Sequence, residues 1–197
     1  MAITAQTILE TDFGDFQVAY HQVGQSYEVV SFSQGTLTTG SPIIRIHSAC
    51  LFGEVFHSQH CDCEEQITET MKAIQKHGHG AIIYCYQEGR GVGLLGKIKA
   101  MEVERREHVD TVEAFKRLGY KADTRDFSPA IAALRDLVVG VDITTFSGNP
   151  KKIKALQEAG YNVKRLLNIT SDNLGKRAKE ELKTKQNKLG YYYQDLT

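Results

Sequence analysis

Three cysteines, Cys50, Cys61 and Cys63, fall within fourteen residues in the pattern Cys-x10-Cys-x-Cys. Thiolates are soft ligands and favour Zn2+ over cations that prefer oxygen. Two ligands spaced by one residue can chelate from a turn, while the third arrives from a neighbouring segment. Three protein ligands leave a fourth coordination position for water, which is the catalytic arrangement. A structural site would want a fourth ligand, and His57 or His60 could supply it. The alternative is three unrelated thiols in a reducing compartment. Water on zinc gives up its proton near neutral pH, and zinc deaminases aim such a hydroxide at nucleobase carbons. A nucleobase is therefore a sensible electrophile, although the ligands alone do not identify it. Cys85 sits inside an apolar run and reads as a small core residue. His57, His60, His77, His79 and His108 are flanked mostly by polar residues and read as solvated side chains.

A second group of residues suits phosphate. Glu88-Gly89-Arg90-Gly91-Val92-Gly93 puts glycines where backbone can approach a ligand, just ahead of a helix N-terminus. Its spacing is neither that of a dinucleotide fingerprint nor that of a P-loop, and glycine-rich turns often only join a strand to a helix. Arg45 and His47 precede the first cysteine, Arg125 lies in Asp123-Thr124-Arg125-Asp126, and Lys151 and Lys152 open a helix beside Ser147 and Asn149. Arginine forks and helix N-termini are good phosphate ligands. Each alone is an ordinary solvated charge, and the thiolate triad gives the combination its weight.

Composition narrows the classes. The 197 residues fit one domain, with enough apolar residues to bury a core. Lys and Arg total 24 against 24 Asp and Glu, so there is no basic field to coat a nucleic acid. Absence of Trp and of a basic stripe points the same way. No apolar run is long enough to span a membrane. The first residues lack the regions of a signal peptide, so the cytoplasm is expected.

The elements that must position these residues read as α+β, in a single domain over residues 1–197. Residues 1–48 alternate as antiparallel strands. Helical spacing follows over 62–77, then a buried strand over 81–86, the glycine-rich turn, and a helix over 94–106. Helices are expected near 111–118 and 128–138, a strand over 141–146, a helix from Pro150, a strand over 161–166, and a charged C-terminal helix over 171–189 with a tail to 197.

Together these motifs resemble the GTP cyclohydrolase II family. The likeness rests on Arg45-Ile46-His47-Ser48-Ala49-Cys50, Cys61-Asp62-Cys63-Glu64-Glu65-Gln66, Tyr86-Gln87-Glu88-Gly89-Arg90-Gly91-Val92-Gly93-Leu94, Asp110-Thr111-Val112-Glu113-Ala114, Asp123-Thr124-Arg125-Asp126-Phe127 and Asn149-Pro150-Lys151-Lys152. They stand in the family's order over about residues 40–160. The resemblance implies one Zn2+ on Cys50, Cys61 and Cys63, and GTP or a related purine nucleotide as substrate. It implies nucleotide contacts at Arg45, Gln66, Glu88, Gly89, Arg90, Thr111, Ser147 and Lys152. Asp123 is implied as proton acceptor and Arg125 as nucleophile toward the α-phosphorus, with Mg2+ on the triphosphate and a homodimer as the assembly. In the family reaction pyrophosphate leaves, activated water attacks C8 of guanine, and the ring opens to a formamide. Formate loss then gives a diaminopyrimidine ribosyl phosphate, the entry compound to riboflavin.

The chain departs from the family pattern at Ala49 (usually Glu), Met101 (usually Tyr) and Gly148 (commonly Asn). A thioether cannot donate a proton as a phenol can, so Met101 implies arrest at the formamidopyrimidine if that Tyr serves the second hydrolysis. Apolar packing alone would also tolerate Met there. A zinc-stabilised nucleotide-binding module without turnover is the competing class. It would need neither Asp123 nor Arg125. Tyr191-Tyr192-Tyr193 reads as a C-terminal packing or dimer contact rather than a base-stacking platform.

Overall fold

A computed structural model describes residues 3–23, 27–167 and 174–193. The chain forms two compact units, each assembled from separate stretches: one from residues 1–47, 65–86 and 127–169, the other from 48–64, 87–126 and 170–197.

The first unit is built on a seven-stranded sheet. Its strands are β1 (Ile3–Thr11), β2 (Gly14–Val23), β3 (Tyr27–Gln34), β4 (Ile43–Ser48), β5 (Gly80–Cys85), β6 (Asp142–Phe146) and β7 (Asn162–Leu167), in the order β1-β2-β3-β5-β4-β6-β7. β1, β2, β3 and β5 pair antiparallel in sequence along that order. β4 departs from the antiparallel expectation and runs parallel to β6, which runs parallel to β7. Its sequence explains why. Ile43-Ile44-Arg45-Ile46 is buried without alternation, the pattern of a strand covered on both faces.

Both faces are indeed covered. Ile44, Ile46, Ala81 and Ile83 pack with Leu134 and Leu156 of helices α5 (Ser128–Asp136) and α6 (Pro150–Glu158). Ile43 and Ile82, one step out of phase, pack with Phe16 and with Ile67, Met71 and Ile74 of helix α2 (Cys63–His77). Cys85 lies in the first of these clusters, a core thiol as expected.

A buried polar clip joins β2, β3 and α5. His21 is fully enclosed, with Nδ1 3.2 Å from Asp136 Oδ2 and Nε2 2.8 Å from Ser31 Oγ. A carboxylate only accepts, so Nδ1 carries the proton there and the neutral ring can take one from Ser31.

The second unit is helical: α1 (Leu51–Glu54), α3 (Gly93–Glu107), α4 (Thr111–Arg117) and α7 (Lys176–Leu189), with a tight turn over Glu88–Gly91. Ala100, Ala114 and Phe115 form its core with Val92, Val103 and Tyr120 around them. The short α1 has no sequence signal of its own. α7 begins at Lys176, and residues 171–173 of the expected helix lie outside the described residues. No helix among the described residues is long and apolar enough to cross a membrane.

Candidate functional site

The residues singled out from sequence fall into two sets, each drawn together within its own unit. In the first unit, Arg45 on β4 is only 5% exposed. Its Nε donates to His47 Nδ1 at 3.0 Å, its Nη1 to the Phe146 carbonyl at 2.9 Å, and its Nη2 to Gln66 Oε1 on α2. His47 stacks on Tyr84, with ring centroids 5.6 Å apart. Ser147 follows β6 and accepts from Asn149 N at 3.2 Å, and Asn149 in turn caps α6 by accepting from Lys151 N at 2.9 Å. Lys152 is buried, donating to the Ile46 carbonyl at 2.8 Å with its Nζ 5.6 Å from the Phe127 ring. Arg45, Gln66, Ser147 and Lys152 thus gather at the carboxyl ends of two parallel strands, beside a helix N-terminus. That is where open α/β sheets bind ligands.

In the second unit the Sγ atoms of Cys50, Cys61 and Cys63 all lie within 4.8 Å of one another. All three are free cysteines, and Cys50 and Cys61 Sγ are 3.6 Å apart. Tetrahedral zinc with bonds of about 2.3 Å sets its sulfurs about 3.8 Å apart, so the spacing fits a metal. Gly53 supports the same fit. A Cβ there would stand 2.7 Å from Cys61 Sγ and 3.2 Å from Cys50 Sγ. α1 exists to fold this glycine over the sulfurs.

The cluster's charge also calls for a cation. Hydrogen bonds from the Cys61 and Cys63 thiols, aided by Lys97, draw Cys50 far below the usual thiol range. The hydrogen bond to Cys50, with burial, pushes Cys61 up to about 11 against the pull of Cys63, and hydrogen bonds to Cys50 and Cys61, with burial, push Cys63 well above its ordinary value. Three thiolates this close need positive charge among them to ionise together. His57, one of the two histidines that could have supplied a fourth ligand, is exposed as its polar neighbours suggested and lies 2.8 Å from Glu64. Among the described residues the ligand cluster is cysteine alone.

Sequence reasoning missed the supports of this cluster. Lys97 on α3 places Nζ 3.1 Å from Cys50 Sγ and 2.8 Å from Glu88 Oε1. Burial opposes its charge, but Glu88 and the Cys50 sulfur outweigh that and hold Lys97 above the usual lysine range. Glu54 accepts from Cys50 N at 2.7 Å, and Glu88 Oε2 accepts from Leu51 N at 2.7 Å. Glu54 thereby supplies a carboxylate beside the first cysteine although position 49 is Ala. The only sequence signal was helical phase: Lys97 stands one turn after Gly93.

The glycine-rich turn is bent by residues that favour or force positive φ. Gly89 and Arg90 both adopt the left-handed region, at φ 59° and 56°. For Arg90 this is strained, which is a mark of functional sites. Gly91 has no room for a side chain, since a Cβ would meet Thr124 Oγ1 at 2.5 Å. The turn is tied to the next loop through the Arg90 carbonyl, which accepts from Thr124 N at 3.0 Å. Arg90 Nη2 donates to Glu181 at 2.6 Å, while its Nη1 is buried without a hydrogen-bond partner among the described residues. Such an orphaned guanidinium donor suits an arriving anion. Thr111 opens α4, capped by Asp110, whose Oδ1 accepts from Val112 N and Glu113 N.

Asp123 and Arg125 form a buried pair, 6% and 9% exposed at the side chain. Arg125 donates from Nε to Asp123 Oδ1 at 2.9 Å and from Nη2 to Oδ2 at 2.7 Å. Burial works against the charge, yet Asp123 and Tyr191 raise the Arg125 pKa above the usual guanidinium range.

One half-buried acid adjoins Thr111. Burial and the nearby Glu181 push Glu104 on α3 up to about 7, although Thr111, Arg177 and Arg90 pull the other way. Between its ordinary value of 4.5 and about 7, the folded chain holds a proton that the unfolded chain has released. That contribution is therefore present at low pH and lost as pH rises through 7. Glu104→Gln should raise the melting temperature at about pH 8.5 and raise it much less at about pH 5. Equal shifts at both pH values would rule out titration of Glu104 as the cause.

The sequence matches known proteins. The family model for GTP cyclohydrolase II matches residues 2–168. This chain belongs to the GTP cyclohydrolase II family, a family of hydrolases. Among its relatives, GTP cyclohydrolase-2 of Pseudomonas syringae pv. tomato is 38% identical over 194 residues, covering 97% of this chain and 93% of that protein. Riboflavin biosynthesis protein RibBA of Bacillus cereus is 39% identical over 193 residues, covering 95% of this chain. The chain spans about half, 47%, of that relative's length. A two-domain 3,4-dihydroxy-2-butanone 4-phosphate synthase from A. baumannii, RibBX, shares 14% identity at a TM-score of 0.46 over 86% of this chain and 40% of that one.

Proposed function

We propose that this chain hydrolyses the imidazole ring of GTP, or of a related purine nucleotide, with release of pyrophosphate. The observation that carries this reading is the three-sulfur cluster closed over by Gly53, with the Glu88–Lys97 pair against Cys50. Zinc held there supplies a Lewis acid and a readily ionised water.

The chain's own residues do the rest. Glu54 and Glu88 pin the N–H groups of Cys50 and Leu51, which fixes the first sulfur's direction. Lys97 offsets the negative charge gathered on the sulfurs. The buried Nη1 of Arg90 and the Thr111 hydroxyl are offered to the nucleotide, and Arg45, Gln66, Ser147 and Lys152 are proposed as further contacts. Gly89 lets the backbone approach it. At the α-phosphorus, an Arg125 nitrogen attacks as the bond to pyrophosphate breaks, Asp123 receives its proton through a hydrogen bond of 2.7–2.9 Å, and water later cleaves the phosphorus–nitrogen bond to free the product. The same pairing keeps the guanidinium charged at rest, so the proton moves only as the phosphorus is engaged. Pyrophosphate is the leaving group. Mg2+ accompanies the triphosphate, and the family resemblance extends the proposal to a cytoplasmic homodimer in riboflavin or related metabolism. The balanced charge supports a free nucleotide rather than a nucleic acid as substrate.

Met101 favours one product over the other. It is half-buried on α3 and has no proton to give, so the ring-opened formamide is the expected end of the reaction. Incubation with GTP, Zn2+ and Mg2+ should release pyrophosphate and yield a formamidopyrimidine by mass spectrometry. Met101→Tyr should then lose formate in addition. Intact GTP bound tightly to wild-type protein would favour a non-catalytic module, and a product already lacking its formyl group would remove Met101 as the block.

A further inference from the structure

The C-terminal stretch lies beyond the residues matched by the family model, and it touches the segments that carry the second unit's site residues. Glu181 on α7 binds Arg90 at 2.6 Å, with both side chains mostly buried. Lys185, one turn on, lies 3.6 Å from Glu181 and 3.8 Å from Asp62, the residue between Cys61 and Cys63. Lys188 pairs with Asp110, the cap that precedes Thr111. Gly190 then reverses the chain at φ 67°, and Tyr191 Oη accepts from Arg125 Nη2 at 2.8 Å.

These contacts share one helical register. Glu181, Lys185 and Lys188 follow at steps of four and three, so they line one face of α7, while Ala178 and Leu182 bury the neighbouring stripe. The helix is anchored by its apolar residues and spends its polar ones on the site. Arg125 shows the consequence most clearly. Asp123 takes the Nε proton and one Nη2 proton, and Tyr191 takes the other. A planar guanidinium held at its Nε–H and at both Nη2–H groups cannot rotate, and its Nη1 donates to Ser48 Oγ at 3.4 Å. Tyr191 is itself held by its ring, stacked on Tyr193 with centroids 6.0 Å apart, and by Tyr191 N, which donates to the Lys185 carbonyl at 3.2 Å.

We propose that Tyr191 and Glu181 are positioning residues for Arg125 and Arg90, which makes the C-terminal helix a working part of the phosphate-facing site rather than a packing appendage. This rests on the reading of those two arginines given above. Neither residue touches the reacting atoms; each restricts the orientation of one that does.

The test is Tyr191→Phe in the full chain, which removes one oxygen and keeps the stacked ring, with the exposed neighbour Tyr192→Phe as control. Two readouts are needed. Steady-state kinetics with GTP should show kcat lower by about tenfold with KM within about twofold, the pattern of a lost orienting bond rather than lost binding. In nitrogen-15 spectra, the Arg125 Nε–H signal, assigned by its absence in Arg125→Lys, should exchange with water about tenfold faster while backbone amides stay put. Glu181→Gln should do the same at Arg90 more weakly, since an amide oxygen can still accept. An unchanged kcat or an unchanged Nε–H exchange in Tyr191→Phe overturns the proposal. Should the wild-type chain fail to open GTP, the catalytic reading falls, and the exchange measurement still decides whether Tyr191 orients Arg125.

Discussion

Replacing Gly53 with Ala is expected to strip the metal from the chain while leaving its fold in place. The added methyl would lie 2.7 Å from Cys61 Sγ, 3.2 Å from Cys50 Sγ and 3.2 Å from Cys63 Cβ. No side chain can swing aside to relieve this, because two of those atoms are the proposed ligands and the third carries one. The sulfurs must spread, and a tetrahedral site tolerates errors of only about 0.2 Å in its bonds. Zinc affinity should fall by about 100-fold, and activity with it, in line with losses seen when a ligand's supports are removed. Cys61→Ser removes a ligand outright and should go further, leaving less than about a tenth of the zinc per chain after dialysis. The hydrophobic clusters of both units include none of these three sulfurs. Circular dichroism should therefore change little. Metal analysis of the dialysed proteins decides it: Gly53→Ala with a full complement of tightly held zinc would show that the sulfurs are not the site.

That glycine illustrates what could and could not be read from the sequence. Cys-x10-Cys-x-Cys announced a cluster able to hold a metal because ligand chemistry is written in residue types. Gly53 announced nothing, since the reason for a missing side chain lies in what surrounds it. The same division runs through the fold. β5 and α2 were legible because Ala81–Cys85 is a continuous apolar run and Ile67, Met71 and Ile74 keep helical phase. The parallel pairing of β4 with β6 was not, because partners about 100 residues apart in sequence leave no local pattern in either strand. Lys97, Glu54 and Tyr191 were missed for a related cause. A charged or phenolic side chain on an amphipathic segment looks solvated until its partner's position is known, and Glu181 and Lys185 looked like an ordinary charged face of α7.

The Asp123–Arg125 pair carries the other large effect. Arg125→Ala or Asp123→Asn should each lower pyrophosphate release and ring opening by about 10²–10⁴-fold, the range for removing a positioned proton-transfer partner. The two side chains are hydrogen bonded at two points and almost wholly buried, so neither keeps its function alone. Asn at 123 leaves a buried guanidinium without its counter-charge; Ala at 125 leaves a buried carboxylate with no proton to receive. Each single change should also destabilise the fold by about 3–5 kcal/mol, because breaking one side of a buried pair strands the other. Activities must accordingly be compared at a temperature where all variants are folded. The decisive measurement is the double variant. If the pair works as a unit, Asp123→Asn with Arg125→Ala should be no slower than the worse single variant, and its stability should recover part of the loss. Multiplying effects on rate would mean that the two side chains act at separate steps. The proposed hand-over of a proton between them would then be wrong, although each could still face the nucleotide.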